Sequence, residues 1–168
     1  FFLMIRRPAR FTQSRSSAAS DVYKRQLFIN DSEARQLSGE ENLKKASREI
    51  LALGPDVLII KKGEHGCLLF FEDEETFMLP AYLLENVVDP TGAGDSFAGG
   101  FMGYLAYRNS VEPEVLRQAT VIGTVIASFT CESFGPRRLL SLTGEEIKKR
   151  CYEFIQQTRI QDLPQFPF

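Results

Sequence analysis

The sequence has one histidine, His65, and only three cysteines. A lone histidine excludes any metal site built from several imidazoles. Cys67, Cys131 and Cys151 are odd in number and far apart in the chain, which argues against a disulfide framework and fits idle thiols in a reducing compartment. No apolar run approaches the roughly 18–20 residues of a membrane-spanning helix. The P-loop pattern GxxxxGK[ST] is missing. A dinucleotide fingerprint, GxGxxG, begins at Gly92 and Gly94 but meets Phe97 at its third glycine position. What is there is an ordinary globular mixture, 168 residues with 43% hydrophobic and 25% charged side chains, enough for a domain with a real core.

The net charge of -2 hides a split. Residues 1–26 carry Arg6, Arg7, Arg10, Arg15, Lys24 and Arg25 against the single acid Asp21. Residues 27–168 hold 14 basic and 21 acidic side chains, a net of -7. So abrupt a shift marks a boundary. The short apolar start precedes its basic residues, the reverse of a secretory signal, and Arg6-Arg7 is not followed by an apolar segment. A transit peptide and a nucleic-acid-binding basic arm are two further readings. The run from Ser16 to Gln26 resembles a translated sequencing adapter, so residues 1–26 are expected to be a non-native or disordered segment and are set aside from the fold.

From Leu27 the pattern alternates strand and helix. Leu27 to Asn30 reads as the end of a buried strand. Ser38-Gly39-Glu40-Glu41 has the spacing of a capping box that opens a helix through Leu43, Ala46, Ile50 and Leu53, closed by Gly54-Pro55. Val57 to Ile60 is a continuous apolar run of strand length, as in a sheet covered on both faces. Cys67–Phe71 and Thr76–Leu79 form a predicted hairpin with an acidic tip. Helices are predicted from Ser96 to about Tyr107, from Pro113 to about Phe129, and from the capping box Thr143-Gly144-Glu145-Glu146 onward. Gly99, Gly100 and Gly103 lower the helix propensity of the first of these, so another element is expected to approach its backbone closely. The order is that of an α/β protein.

The chemistry concentrates in Asp89-Pro90-Thr91-Gly92-Ala93-Gly94-Asp95, followed by Ser96 and a helix. A loop of small residues entering a helix leaves the amides of Gly92, Ala93 and Gly94 bare, and the helix dipole adds positive charge at the same mouth. A carboxylate there, Asp95, is electrostatically out of place unless it takes a proton from an attacking hydroxyl. As a structural alternative, Asp95 would only cap the helix.

This segment resembles the second signature of the ribokinase-like (PfkB-type) carbohydrate kinases, with Pro90 in place of the usual Thr or Ser. The resemblance implies phosphorylation of a sugar or nucleoside hydroxyl by ATP with Mg2+, Asp95 as catalytic base, and Gly92, Ala93 and Gly94 as the anion hole for the transferred phosphoryl. Asn30-Asp31-Ser32-Glu33 is similar to the family's N-x-x-E motif, which implies that Asn30 and Glu33 lie near magnesium, with Glu33 acting through waters. A polar strand-end cap is the alternative there. Lys61-Lys62-Gly63-Glu64-His65-Gly66 resembles the strand-end loop beside the nucleotide, placing Lys61 and Gly63 near ATP. A basic turn before a hairpin is equally compatible with it. Asp89 and Thr91 would help bind K+ or Na+ together with the loop that ends at Gly135.

The resemblance covers residues 27–168 as the C-terminal part of a ribokinase-like doubly wound α/β sandwich, with the N-terminal strands and the lid expected to be missing. A bare strand edge, poor solubility and no kinase activity of the chain alone are therefore expected. The full-length enzyme is expected in the cytoplasm, with a small-molecule sugar or nucleoside as substrate and neither nucleic acid nor membrane as partner. A homodimer is left open. The competing readings are a nucleoside kinase of the same family, a catalytically silent binding protein on the same fold, and a nucleic-acid protein resting wholly on residues 1–26.

Overall fold

Side-chain alternation along the strands decides which helices cover which face of the sheet. The computed structural model describes residues 3–4, 26–71 and 75–159. Its sheet has the order β1 (Leu3–Met4), β2 (Gln26–Asn30), β3 (Val57–Lys61), β4 (Cys67–Phe71) and β5 (Thr76–Leu79). β2 and β3 are parallel, with Leu27 opposite Leu58 and Asn30 opposite Lys61. β3, β4 and β5 are antiparallel neighbours. Successive strand residues point to opposite faces. Phe28, Ile59 and Leu69 thus enter one core, and Leu27, Ile29, Leu58, Ile60 and Phe70 enter the other. The unbroken apolar run of β3 is the consequence, since no face of that strand meets water.

Helices α1 (Asp31–Ser38) and α2 (Leu43–Leu51) lie between β2 and β3 in sequence and close the second core with Ala34 and Ile50. On the other face lie α3 (Ala93–Arg108), α4 (Pro113–Thr130) and α6 (Gly144–Thr158), preceded by the short α5 (Arg137–Leu140). They contribute Phe97, Phe101, Phe129 and Phe154. Phe28 sits edge-on to Phe101 at 5.1 Å, which joins β2 to α3. This is the α/β sandwich that the alternation of segments predicts. Cys67, Cys131 and Cys151 are free thiols. Burial pushes Cys67 up to about 12 and raises the other two, so none is activated as a nucleophile.

Three sequence expectations are corrected. First, Ser38 ends a helix and does not open one. Asn30 and Glu33 form the capping box that starts α1, Gly39 supplies the left-handed stop at φ 72°, and the Ser38 hydroxyl donates back to the Ala34 carbonyl. The cap of α2 is Asn42, which accepts from the amides of Lys44 and Lys45, and Leu53 lies beyond that helix, exposed. Second, the edge of β2 is not bare. Leu3 and Met4, within the segment set aside, pair antiparallel with Phe28 and Leu27, and Gln26 belongs to β2. An open apolar edge accepts any extended segment able to supply backbone partners. The rest of residues 1–25 lies outside the described residues, as does the hairpin tip 72–74.

Third, of the three glycines of α3 only Gly100 meets a close neighbour. A Cβ there would come to 3.0 Å from Ile126 Cγ1 and 3.3 Å from the Gly123 Cα, whereas Gly99 and Gly103 face open space. The complementary glycine is Gly123 of α4, whose Cβ would fall 2.8 Å from the Phe97 carbonyl oxygen. Backbone cannot give way there as a flexible side chain could. Gly123→Ala is expected to destabilise the protein by about 1–3 kcal/mol in urea unfolding through overpacking, and Gly103→Ala to stabilise it by up to about 1 kcal/mol.

The capping box of α6 forms as the sequence predicts, with Thr143 Oγ1 accepting from the Glu146 amide and Glu146 Oε2 accepting from the Thr143 amide. Arg138 donates to Glu146 Oε1 at 2.6 Å and, with Thr143, draws that carboxyl down from the ordinary 4.5 to about 2. A depressed folded-state value stabilises above the ordinary value, and the contribution is lost as pH falls through about 2. Carboxyl NMR titration should therefore show Glu146 still ionised at pH 3.5, where an ordinary glutamate is mostly protonated.

Candidate active site

The helical hairpin of α3 and α4 brings two distant loops together. Gly100 lies against Gly123 and Ile126, and Gly92 at the start of α3 faces Thr130 at the end of α4, so the helices run antiparallel. The turn after α4 consequently lands on the segment before α3. The Cys131 carbonyl accepts from the amides of Val88 at 2.8 Å and Asp89 at 3.3 Å. Asp89 Oδ1 in turn accepts from the Thr91 amide at 2.9 Å, and the Gly135 backbone amide lies close enough to lower this carboxyl slightly further. These bonds, Thr91 first, hold the Asp89 carboxyl below its usual range.

Gly92 adopts φ 83°, a left-handed conformation that a side chain would oppose, and its carbonyl accepts from the Ser96 amide as α3 begins. The Ala93 amide donates to the Pro90 carbonyl at 3.1 Å and closes the turn. Ala93 therefore does not aim its amide at the mouth in the way the bare-amide reading expects, because the proline-initiated turn takes that donor. The orphan donors of the first helical turn at Gly94 and Asp95 remain suited to an anion. Asp95 is exposed in that first turn.

Lys61 ends β3, and its Nζ lies 2.8 Å from where a Cβ on Gly94 would stand. The absence of a side chain at Gly94 thus makes room for the ammonium group. A cation at the positive end of a helix is unfavourable by itself, and an anion between the two would turn repulsion into attraction on both sides. Asn30, opposite Lys61 in the parallel register, ends β2 at the same edge. Ligands of open α/β sheets bind beyond the carboxyl ends of parallel strands, which is where these residues stand.

Asn30 and Glu33 take up the strand-end cap, the alternative reading of that motif. Asn30 Oδ1 accepts from the Glu33 amide at 2.7 Å, and Glu33 Oε2 accepts from the Asn30 amide at 2.8 Å. The Asn30 amide, with the Lys61 charge among the lesser causes, lowers the Glu33 carboxyl below its ordinary value and keeps it ionised on the Lys61 side of the sheet. Gly63 starts a single helical turn, Gly63–His65, and has open space around it. The glycine that sterics demand in this loop is Gly66, with φ 84° and a Cβ position only 2.1 Å from the Leu79 carbonyl oxygen. In the sequence Gly66 is the closing glycine of the Lys61–Gly66 motif, and its steric role emerges only in the structure. Gly123 carries no motif, and its signal in the sequence is that it is the lone glycine of a helix that follows a glycine-rich one.

An open α/β sheet with a small-residue loop entering a helix, a lysine above that helix start and a carboxylate in its first turn defines a class, that of open α/β proteins without a P-loop. Comparison with known proteins narrows it. The profile of the pfkB family carbohydrate kinases matches residues 14–142, and the chain belongs to this family. The match begins inside the segment set aside above. Cytidine kinase of Thermococcus kodakarensis is 39% identical over 79 residues, which are 46% of this chain and 28% of that protein. The ribokinase of Thermotoga maritima superposes with a TM-score of 0.65 at 28% identity, covering 78% of this chain and 43% of that one. Aminoimidazole riboside kinase from Salmonella enterica, solved with aminoimidazole riboside and an ATP analogue, gives a TM-score of 0.67 at 24% identity over 83% of this chain and 48% of that one, a likeness of fold. The chain spans less than half the length of these relatives. Among the described residues no helix is long and apolar enough to cross a membrane.

Gly94→Ala tests the meeting of Lys61 with the helix start. The colliding atom is the far end of a flexible side chain, so the melting temperature should stay nearly unchanged while Lys61 is displaced. Binding of inorganic phosphate or ATP, followed by NMR shifts of the Gly92–Asp95 amides, should weaken by roughly tenfold, as for loss of one charge-assisted contact.

Proposed function

We propose that this chain forms the nucleotide-side part of an ATP-dependent kinase that transfers the γ-phosphate to a hydroxyl of a sugar. The observation that carries the reading is the Lys61 ammonium brought over Gly94 at the start of α3, one residue from Asp95. The Gly94 and Asp95 amides and Lys61 would bind the transferred phosphoryl from two sides. Asp95 would accept the proton of the attacking hydroxyl as the oxygen approaches phosphorus in line. Positioning and charge stabilisation would supply most of the rate. Gly92 and Ala93 would shape the anion hole through the turn that launches α3, and Gly63 would border the nucleotide.

ATP and Mg2+ are the cofactors of this proposal. Among the described residues no three His, Cys, Asp or Glu side chains cluster as a metal site. Magnesium keeps several waters and binds largely through substrate phosphates, which suits one ionised Glu33 held beside Asn30. Its chemistry, when bound, is to neutralise charge on the phosphates. Asp89 and Thr91, tied to the Gly135 turn, would hold K+ or Na+. The cytoplasm is the proposed compartment. The chain by itself is proposed to be inactive in turnover, since the acceptor sugar would be held by parts of the fold outside residues 27–168.

A nucleoside is the second acceptor class, favoured by the likeness to cytidine kinase. Assays of a full-length enzyme carrying this segment, with ribose, fructose, adenosine and cytidine in parallel, separate the two. In that enzyme Asp95→Asn should lower turnover by on the order of 10²–10⁴-fold and leave ATP affinity nearly intact. Unchanged turnover removes Asp95 from the chemistry. A wild-type enzyme that binds ATP and phosphorylates none of these acceptors would favour a silent binding protein.

A further inference from the structure

The turn that meets the Asp89 segment is clamped from behind by groups outside the proposed site. Glu132 Oε2 accepts from Arg138 Nε at 3.0 Å, and Glu132 Oε1 accepts from Arg150 Nη2. Arg150 Nη1 also donates to Ser128 Oγ at 3.0 Å. Both guanidinium groups lie over one ring, Arg150 at 3.5 Å and Arg138 at 4.9 Å from the Phe129 centroid. Arg150 lies 4.9 Å from the Tyr82 ring as well. Two cations so near one aromatic ring repel each other; Glu132 is the carboxylate they share, while Glu146 also pairs with Arg138 from the start of α6. The side chains of Glu132, Arg138 and Arg150 are 26%, 23% and 16% exposed, so water screens these charges only in part.

Glu132 is the residue next to Cys131, whose carbonyl receives the Val88 and Asp89 amides. The turn is tied once more where the Arg138 amide donates to Ser133 Oγ. We infer that Glu132 is a positioning residue for the phosphate-binding loop: its clamp on Arg138 and Arg150 fixes the turn whose Cys131 carbonyl sets the height of Val88 and Asp89, and through them the entry to α3. α6, which carries Arg150, thereby acts on the loop without touching a reacting atom. The use of this loop rests on the phosphoryl-transfer reading. The clamp itself does not, and its test needs no turnover, so failure of one is distinguishable from failure of the other.

Hydrogen exchange of the 168-residue chain reads the effect directly. In Glu132→Ala the amides of Val88 and Asp89 should exchange at least about tenfold faster than in wild type, while those of Leu58, Ile59 and Ile60 in β3 change by less than about twofold. Glu132→Gln keeps an acceptor but not the charge, and should give an intermediate acceleration confined to the same loop. If Glu132→Ala loses protection throughout, Glu132→Gln decides on the same readout. Wild-type exchange at Val88 and Asp89 in both variants, or equal acceleration of loop and β3 in both, overturns the inference.

Discussion

The contact on which the candidate site depends is the close crossing of α3 and α4 at Gly100 and Gly123. With no side chain at either position, the Phe97 carbonyl and the Gly123 Cα come within a distance that a methyl group would forbid. That approach sets the antiparallel register of the two helices. The register places Thr130 and Cys131 beside Gly92, and the Cys131 carbonyl then holds Val88 and Asp89. A wider crossing would move the end of α4 away from the loop and break those two hydrogen bonds. The site is thus assembled by packing some distance from it.

Charge follows the same geometry. β3 delivers Lys61 to the carboxyl end of the sheet, and α3 delivers its positive end to the same place. Two positive features converge at this end of the sheet, with carboxylates at the margins: Asp95 in the first turn of α3, Glu33 in the cap of α1 and Asp89 in the preceding loop. The acids are kept apart by separate hydrogen-bonding duties. Glu33 is occupied with the Asn30 amide and Asp89 with the Thr91 amide. Asp95 stands exposed at the helix mouth, accessible for the proton-accepting role proposed for it.

Much of the fold is legible in the chain because local rules and tertiary packing agree there. The apolar run at Val57–Ile60, the hairpin strands and the capping box at Thr143 all appear where the pattern puts them. Reading fails where two local signals compete. Ser38 and Glu41 have capping-box spacing, but the Asn30–Glu33 box a short way upstream starts a helix that runs through Ser38 and stops at the left-handed Gly39. Three glycines in α3 looked alike, yet only Gly100 faces a partner, because a 100° turn per residue carries Gly99 and Gly103 around to open space. The Ala93 amide is bare in the sequence but is taken by Pro90 in the turn.

By itself the sequence determined the α/β class, the strand that carries Lys61, the helix start that carries Asp95, and the family resemblance that residues 14–142 bear out. These are properties of contiguous residues, where hydrophobic period, turn chemistry and motif spacing are local. Only the tertiary structure decided that Lys61 sits over Gly94, that Gly66 and Gly123 are the sterically required glycines, and that Glu132 gathers Arg138 and Arg150 onto Phe129. Those pairs join residues far apart in the chain. Their meeting is set by how closely two helices pack and by where a sheet ends, distances that no single segment encodes.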